Sequence, residues 1–294
     1  MLISRCVNKD SNELEHRTIN ACLAPICSVD GCHVITVEGI GSVNKSNLHP
    51  IQTRLAEFSG SQCGYCTPGM IMSLYGILTS KENQFPSMRD IEESFDGNLC
   101  RCTGYRPILD AAKSFANDFD QLNHHDEKSS SSSTTYEKCL SSAQENSSSF
   151  KRIEFPEKLR QYTPQSLHVK GSIEWYRPIT LKELLDLRQT YPGDQSRLVS
   201  GNTTLQIQRK FQDLHCSRLI SIALIEELQK FEQTDDLLYI GSNVTFARLK
   251  TNLIQLSSEH PFIRAFIDQL KYFASTQIRN VASIGGNIIA ASPE

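Results

Sequence analysis

The chain has 294 residues, enough for two modest domains, and a formal net charge of -3, so it carries no basic footprint for nucleic acid. No apolar run is long enough to cross a bilayer, and Met1-Leu2-Ile3-Ser4-Arg5-Cys6 lacks the apolar core of a secretory leader. Ten cysteines without such a leader point to a cytoplasmic chain that binds metal rather than one stapled by disulfides.

Residues 1–47 read as short strands. Val34-Ile35-Thr36-Val37-Glu38-Gly39-Ile40 is rich in β-branched residues and ends at a glycine, which predicts a strand. Cys22, Cys27 and Cys32 are not paired at a common metal spacing, and taken alone they read as small buried side chains. A helix is expected over residues 50–58, with Ile51, Leu55 and Phe58 on one face and Gly60 as its stop. Thr67 is placed to cap the next helix, which buries Met70, Leu74 and Ile77. Ser87 opens a third helix ending near Gly97, and Pro107 a fourth with Leu109, Ala112 and Phe115 inward. So short a bundle has little core of its own and gains stability from a metal.

Between these helices lie Gln62-Cys63-Gly64-Tyr65-Cys66-Thr67-Pro68-Gly69-Met70 and Gly97-Asn98-Leu99-Cys100-Arg101-Cys102-Thr103-Gly104-Tyr105-Arg106-Pro107. They present C-x2-C and C-x-C, each just ahead of a helix that starts near a proline. A helix N-terminus favours negative charge and suits thiolate ligands. Four convergent thiolates fit an iron–sulfur cluster or a structural zinc. The single residue between Cys100 and Cys102 is shorter than zinc knuckles use, which favours a [2Fe–2S] site; zinc and unliganded thiols stay open on spacing alone. Met70, Tyr65 and Tyr105 read as packing residues.

These two stretches resemble the helical [2Fe–2S] domain of the molybdenum hydroxylases, the xanthine dehydrogenase and aldehyde oxidase family. The resemblance implies that Cys63, Cys66, Cys100 and Cys102 hold the cluster nearest the molybdenum cofactor, and that Gln62 and Cys102 approach its pterin. Asn20-Ala21-Cys22-Leu23-Ala24-Pro25-Ile26-Cys27-Ser28 is similar to the end of the family's plant-type ferredoxin domain, where Cys22 matches the fourth ligand of a second cluster. The C-x4-C-x2-C loop that carries the other three ligands is absent. Cys22 is thus a stranded ligand, and residues 1–47 are expected to be the C-terminal remnant of a β-grasp domain followed by a helical [2Fe–2S] domain at 48–122.

Residues 123–165 are expected to form a Ser-rich flexible linker, with a solvated His124-His125 pair and a free Cys139. Order resumes at Glu174-Trp175-Tyr176-Arg177-Pro178, and Thr180-Leu181-Lys182-Glu183 matches a capping box. Leu198, Val199, Ser200, Gly201, Asn202, Thr203, Thr204 and Leu205 read as strand, turn and helix start, an arrangement able to cradle a pyrophosphate but also common in ordinary caps. A hairpin is expected across Thr234-Asp235-Asp236, then a helix capped by Thr245. Residues 273–289 read as a strand with a glycine pair, Gly285-Gly286, suited to a flat ligand or to a simple bulge.

Both of the last stretches resemble the FAD-binding domain of the same family. By that resemblance Leu198 to Leu205, Phe273, and Ser283, Ile284, Gly285, Gly286 and Asn287 contact FAD, and residues 166–294 are a C-terminally incomplete PCMH-type FAD-binding domain. The overall expectation is an α+β chain that forms the iron–sulfur and FAD-binding part of an oxidoreductase, with no catalytic residue of its own. Molybdopterin belongs to the full-length enzyme, whose relatives hydroxylate purines or aldehydes, pass electrons to NAD or oxygen as small-molecule redox partners, and form homodimers. The stretch at 272–289 is closer to the xanthine dehydrogenases. Two other readings stand beside this one: a non-catalytic, metal-stabilised binding module, and an incomplete gene product cut at both ends.

Overall fold

Alternating burial over the first residues sets up a small antiparallel sheet: Leu2 and Ser4 of strand β1 (Leu2–Asn8) point inward. β1 pairs with β2 (Glu13–Thr18) on one side and β3 (His33–Ile35) on the other. The strand expected through Ile40 stops at Ile35. Ile35 faces Leu2, the first residue of β1, so the chain beyond it has no ladder partner. Val37–Ile40 instead form one helical turn, α1, with Gly39 N–H bonded to Thr36 O at 3.0 Å. The computed structural model describes residues 1–80, 85–119, 150, 152–235, 237–258 and 260–291. The Ser-rich run, His124-His125, Cys139, Asp236 and Ser292-Pro293-Glu294 lie outside them.

Four helices follow: α2 (Pro50–Glu57), α3 (Thr67–Ser80), α4 (Met88–Ser94) and α5 (Arg106–Lys113). His49 Nδ1 accepts Ile51 N–H, and Gln52 Oε1 accepts His49 N–H in return, a capping box at the start of α2. Ser87 and Asp90 do the same for α4. Thr67 is the first residue of α3 rather than its cap. α3 is apolar nearly all round and is surrounded accordingly. Leu2, Ile35 and Ile40 share one core with Ile51, Met70, Leu74, Leu78, Ile91, Ile108 and Phe115, so sheet and helices are a single hydrophobic body. Buried Arg54 ties α2 to α5 by donating to Ser114 Oγ at 3.1 Å, with its guanidinium 5.6 Å from the Phe115 ring.

Contacts divide the chain into two units, Met1–Thr18 with Cys32–Arg160, and Ile19–Gly31 with Gln161–Glu294. The described residues 150 and 152–160, expected as linker, pack in the first unit. Ile153 N–H donates to Tyr75 Oη at 2.9 Å, Phe150 meets the His49 ring at 5.1 Å, and Phe155 is buried ahead of a short helix, α6 (Glu157–Arg160). Three apolar side chains at the end of the serine run supply the burial that serines cannot.

The second unit is built on a four-stranded sheet in the order β4-β5-β7-β6. β4 (Leu167–Val169) is antiparallel to β5 (Glu174–Arg177), while β6 (Ser196–Val199) and β7 (Arg218–Ser221) run parallel. Successive residues serve opposite faces: Trp175 and Leu219 pack with Val199, whereas Tyr176 and Ile220 pack with Leu184 of α7 (Leu181–Thr190). Thr180 caps α7, and Glu183 reaches back to Ile179 N–H at 2.9 Å. After α8 (Leu205–Phe211), the expected hairpin is present as β8 (Phe231–Gln233) and β9 (Leu238–Ile240). Thr245 caps α9 (Phe246–Leu256), followed by α10 (Ile263–Tyr272).

Residues 273–289 are not a strand. They form α11 (Thr276–Arg279) and α12 (Ile284–Ala290), and one isolated bridge, Thr245 to Ser283, is the β-pairing here among the described residues. Ser275 and Ser283 accept the N–H groups of Ile278 and Gly286, and these two caps outweigh the β-branched composition. The glycine pair therefore sits in a helical turn and is no bulge.

Ile19–Gly31 belongs to this second unit. Buried Arg177 holds Asp30 at 2.7 Å, Tyr162 hydrogen-bonds the same carboxylate, and Cys27 packs beside Trp175 and Val199.

Candidate cofactor sites

The loops entering α3 and α5 bring the four expected thiols together as two pairs. Cys63 lies beside Cys102 and Cys66 beside Cys100, each thiol close enough to act on its neighbour's proton. Among the described residues, no three His, Cys, Asp or Glu close on one point as a single metal ion requires. Two pairs are what a dinuclear cluster takes, two thiolates to each iron. The first unit thus fits a [2Fe–2S] group by its donor set and pairing.

Polar donors surround the sulfurs. Tyr65 N–H, then the Cys102 thiol, hold Cys63 below the usual thiol range, while the bond to Cys63 pushes Cys102 up. The Thr103 hydroxyl and backbone N–H lower Cys100 to about 7. Burial, then the bond to Cys100, raises Cys66 to about 11. Gly64 and Gly104 take φ of +79° and +66°, and nothing lies within 4 Å of where their Cβ atoms would be, so these turns are free to lie against a compact group. Gln62 is exposed beside them. Tyr65 is 95% exposed, contrary to its expected packing role, and Tyr105 is exposed as well.

In the second unit the two expected flavin stretches adjoin. A Cβ on Gly201 would fall on the Val281 carbonyl, and one on Gly285 would lie 2.7 Å from Ser242 O. Ser200 Oγ donates to Asn243 Oδ1 at 2.5 Å, and Asn243 Nδ2 donates to Ile222 O at 3.2 Å. Ile284 N–H bonds Val244 O at 3.0 Å and Gly285 N–H bonds Ser242 O at 2.8 Å. Residues 242–245 are therefore the strap joining both stretches. Buried Asn243 is absent from the sequence reading; its place in Gly241-Ser242-Asn243 is the one signal that marks it. Buried Arg279 holds the Phe273 turn by donating to Phe273 O at 2.8 Å and Ala274 O at 2.9 Å.

Asn202 is buried at φ +59° and donates to Leu23 O at 2.8 Å, while its Oδ1 has no partner among the described residues. A buried acceptor left open beside two close-packed glycines suits a ligand with hydrogen-bond donors, and the flavin ring supplies them. Leu198, Thr204 and Gly286 are exposed around it, and Thr203, Leu205, Phe273, Ile284 and Asn287 are partly so. Val199 and Ser283 are buried in supporting positions. Cys22 lies exposed on the Ile19–Gly31 segment, while Cys27 and Cys32 are half-buried, more open than small core cysteines.

Residues 36–113 match a family described as the [2Fe-2S] binding domain, and residues 171–294 match the FAD binding domain in molybdopterin dehydrogenase. The chain is 41% identical to a xanthine dehydrogenase of Oryza sativa subsp. japonica, over 98% of this chain and 24% of that protein. It is 40% identical to the xanthine dehydrogenase of Drosophila subobscura, over 100% of this chain and 23% of the relative. With the xanthine dehydrogenase of Dictyostelium discoideum the identity is 41%, over 98% and 23% respectively. The chain thus spans about a quarter of the length of the curated relatives it matches. Paired thiols at two helix starts, a flavin-type α+β unit later in the sequence, and this similarity along nearly the whole chain make it a member of the molybdenum hydroxylase family, of which it carries the iron–sulfur and FAD-binding portion.

Proposed function

We propose that the chain works as the electron-transfer portion of a cytoplasmic molybdo-flavoenzyme that oxidises a purine of the xanthine class, with NAD or oxygen as final acceptor. The observation that carries this reading is the pairing of Cys63 with Cys102 and of Cys66 with Cys100 at the starts of two helices. In this reading those four residues ligate one [2Fe–2S] cluster within 48–122, Gln62 and Cys102 border the pterin side, and Cys22 is a lone ligand of a second cluster. Leu198 to Leu205, Phe273, and Ser283 to Asn287 line FAD within 166–294. The whole enzyme pairs as a homodimer and engages neither nucleic acid nor a membrane. Among the described residues no helix is long and apolar enough to cross a bilayer. The bound groups supply one- and two-electron chemistry; the chain's own residues hold thiolate charge, orient the groups and keep the turns rigid.

Anaerobic reconstitution with iron and sulfide tests the reading. About two iron and two sulfide per chain, with a reduced-state EPR signal, are expected. Stoichiometric zinc with no visible charge-transfer absorption would refute it.

A further inference from the structure

The turn between Cys102 and α5 is a closed circuit of hydrogen bonds. Cys100 N–H donates to Tyr105 Oη at 3.0 Å, Tyr105 N–H donates to Thr103 Oγ1 at 3.1 Å, and Thr103 Oγ1 lies 3.1 Å from Cys100 Sγ. Gly104 and Tyr105 both take left-handed backbone, φ +66° and +69°. Glycine adopts it freely; tyrosine does not, and the two bonds it makes in the circuit offset that cost. The proton count then fixes the last link. Thr103 oxygen already accepts Tyr105 N–H, and a metal-bound cysteine sulfur carries no proton, so the proton between Thr103 and Cys100 belongs to the threonine.

We propose that Thr103 is a positioning residue for electron uptake: its hydroxyl, locked by the Tyr105 backbone, donates to the Cys100 sulfur and raises the reduction potential of the cluster. The proposal rests on the reading of the four cysteines as cluster ligands. In the step concerned, one electron passes from an external low-potential reductant of the dithionite class, which is oxidised, to the cluster. No bond to Thr103 breaks and no proton moves. The cluster with its thiolates becomes one charge more negative, and a hydrogen bond to charged sulfur stabilises that state more than the oxidised one. Cys100 also receives the backbone N–H groups of Thr103 and Cys102, which survive any side-chain change. The hydroxyl is the donor that a substitution removes.

The test is an EPR-monitored redox titration of the full reconstituted chain and of Thr103→Val, Thr103→Ser and Tyr105→Phe. Thr103→Val should lower the ratio of reduced to oxidised cluster about tenfold at a fixed solution potential, about 59 mV for a one-electron couple. Thr103→Ser keeps the hydroxyl and should keep the parent midpoint. Tyr105→Phe breaks the same loop elsewhere but leaves the Thr103–Cys100 contact, so its midpoint should not fall. Equal midpoints in parent and Thr103→Val, or an equal fall in Tyr105→Phe, would overturn the proposal while leaving the ligand reading intact. If Thr103→Val loses the cluster, Thr103→Ala takes its place; loss in both, with retention in serine, would make the hydroxyl structural and overturn the tuning role. A parent chain that forms no [2Fe–2S] signal would overturn the ligand reading and the proposal with it.

Discussion

Replacing Gly76 with alanine sets two effects of opposite sign against each other. In an isolated helix the change stabilises by about 1 kcal/mol, because alanine has less backbone freedom to lose. In α3 the added Cβ would press against Thr18 Cγ2 on β2, well inside 3.0 Å, whereas the next contacts, Leu2 Cδ1 at 3.5 Å and Thr18 Cβ at 3.6 Å, are ordinary. Thr18 is β-branched, so its methyl cannot swing aside without leaving a favoured rotamer. Overpacking of this kind costs roughly 1–3 kcal/mol, enough to reverse the helix gain. Gly76→Ala should therefore destabilise the first unit by about 1 kcal/mol, about a fivefold faster opening. Thr18→Ser removes the offending methyl. On that background the same glycine substitution should stabilise by about the full helix-propensity term. Hydrogen–deuterium exchange of the α3 and β2 amides, measured on the full chain for all four proteins, reads both signs. Slower exchange for Gly76→Ala in both backgrounds would refute the steric argument.

Gly201→Ala places a Cβ on the Val281 carbonyl, a backbone group that cannot rotate away, so FAD affinity in a fluorescence titration should fall by about tenfold or more; unchanged affinity would show that the two stretches do not form one surface. In the metal-free chain at neutral pH, limiting iodoacetamide should modify exposed, acidified Cys63 well ahead of Cys102, whose thiol is pushed up. Equal labelling by peptide mass would contradict the directions given. Cys66, raised to about 11, keeps its proton at neutral pH, and ligation must displace it. The extent of cluster formation from iron and sulfide, read by visible charge-transfer absorption, should therefore rise with pH between about 6 and 9, and a flat profile would count against a protonated Cys66.

The cysteine loops were legible because ligand spacing, proline and glycine lie together within a few residues, and the capping residues Ser87, Thr180 and Thr245 were legible for the same reason. Residues 273–289 misled because β-branched residues at Val281, Ile284, Ile288 and Ile289 carry the strand signal, while the serines that start two helices look like ordinary turn residues. What composition could not reveal are contacts between distant residues. The shared core of Leu2 and Ile35 with α2–α5, the Ile153–Tyr75 bond, and the Asn202–Leu23 bond depend on closing long loops, and no local pattern encodes them. Asn243 was missed for a related reason: its importance comes from Ser200 and Ile222, not from its neighbours.

The excursion of Ile19–Gly31 into the second unit has a consequence for how the chain is made. These residues leave the ribosome early, yet Arg177 and Asn202, which hold Asp30 and Leu23, are synthesised much later. At 5–20 residues per second that is a delay on the order of ten seconds or more. During it β1, β2 and β3 can pair, and the segment between β2 and β3 waits as an open loop with Cys22 and Cys27 uncovered. Cys27 is therefore sheltered only once Trp175 and Val199 have been made and have closed over it.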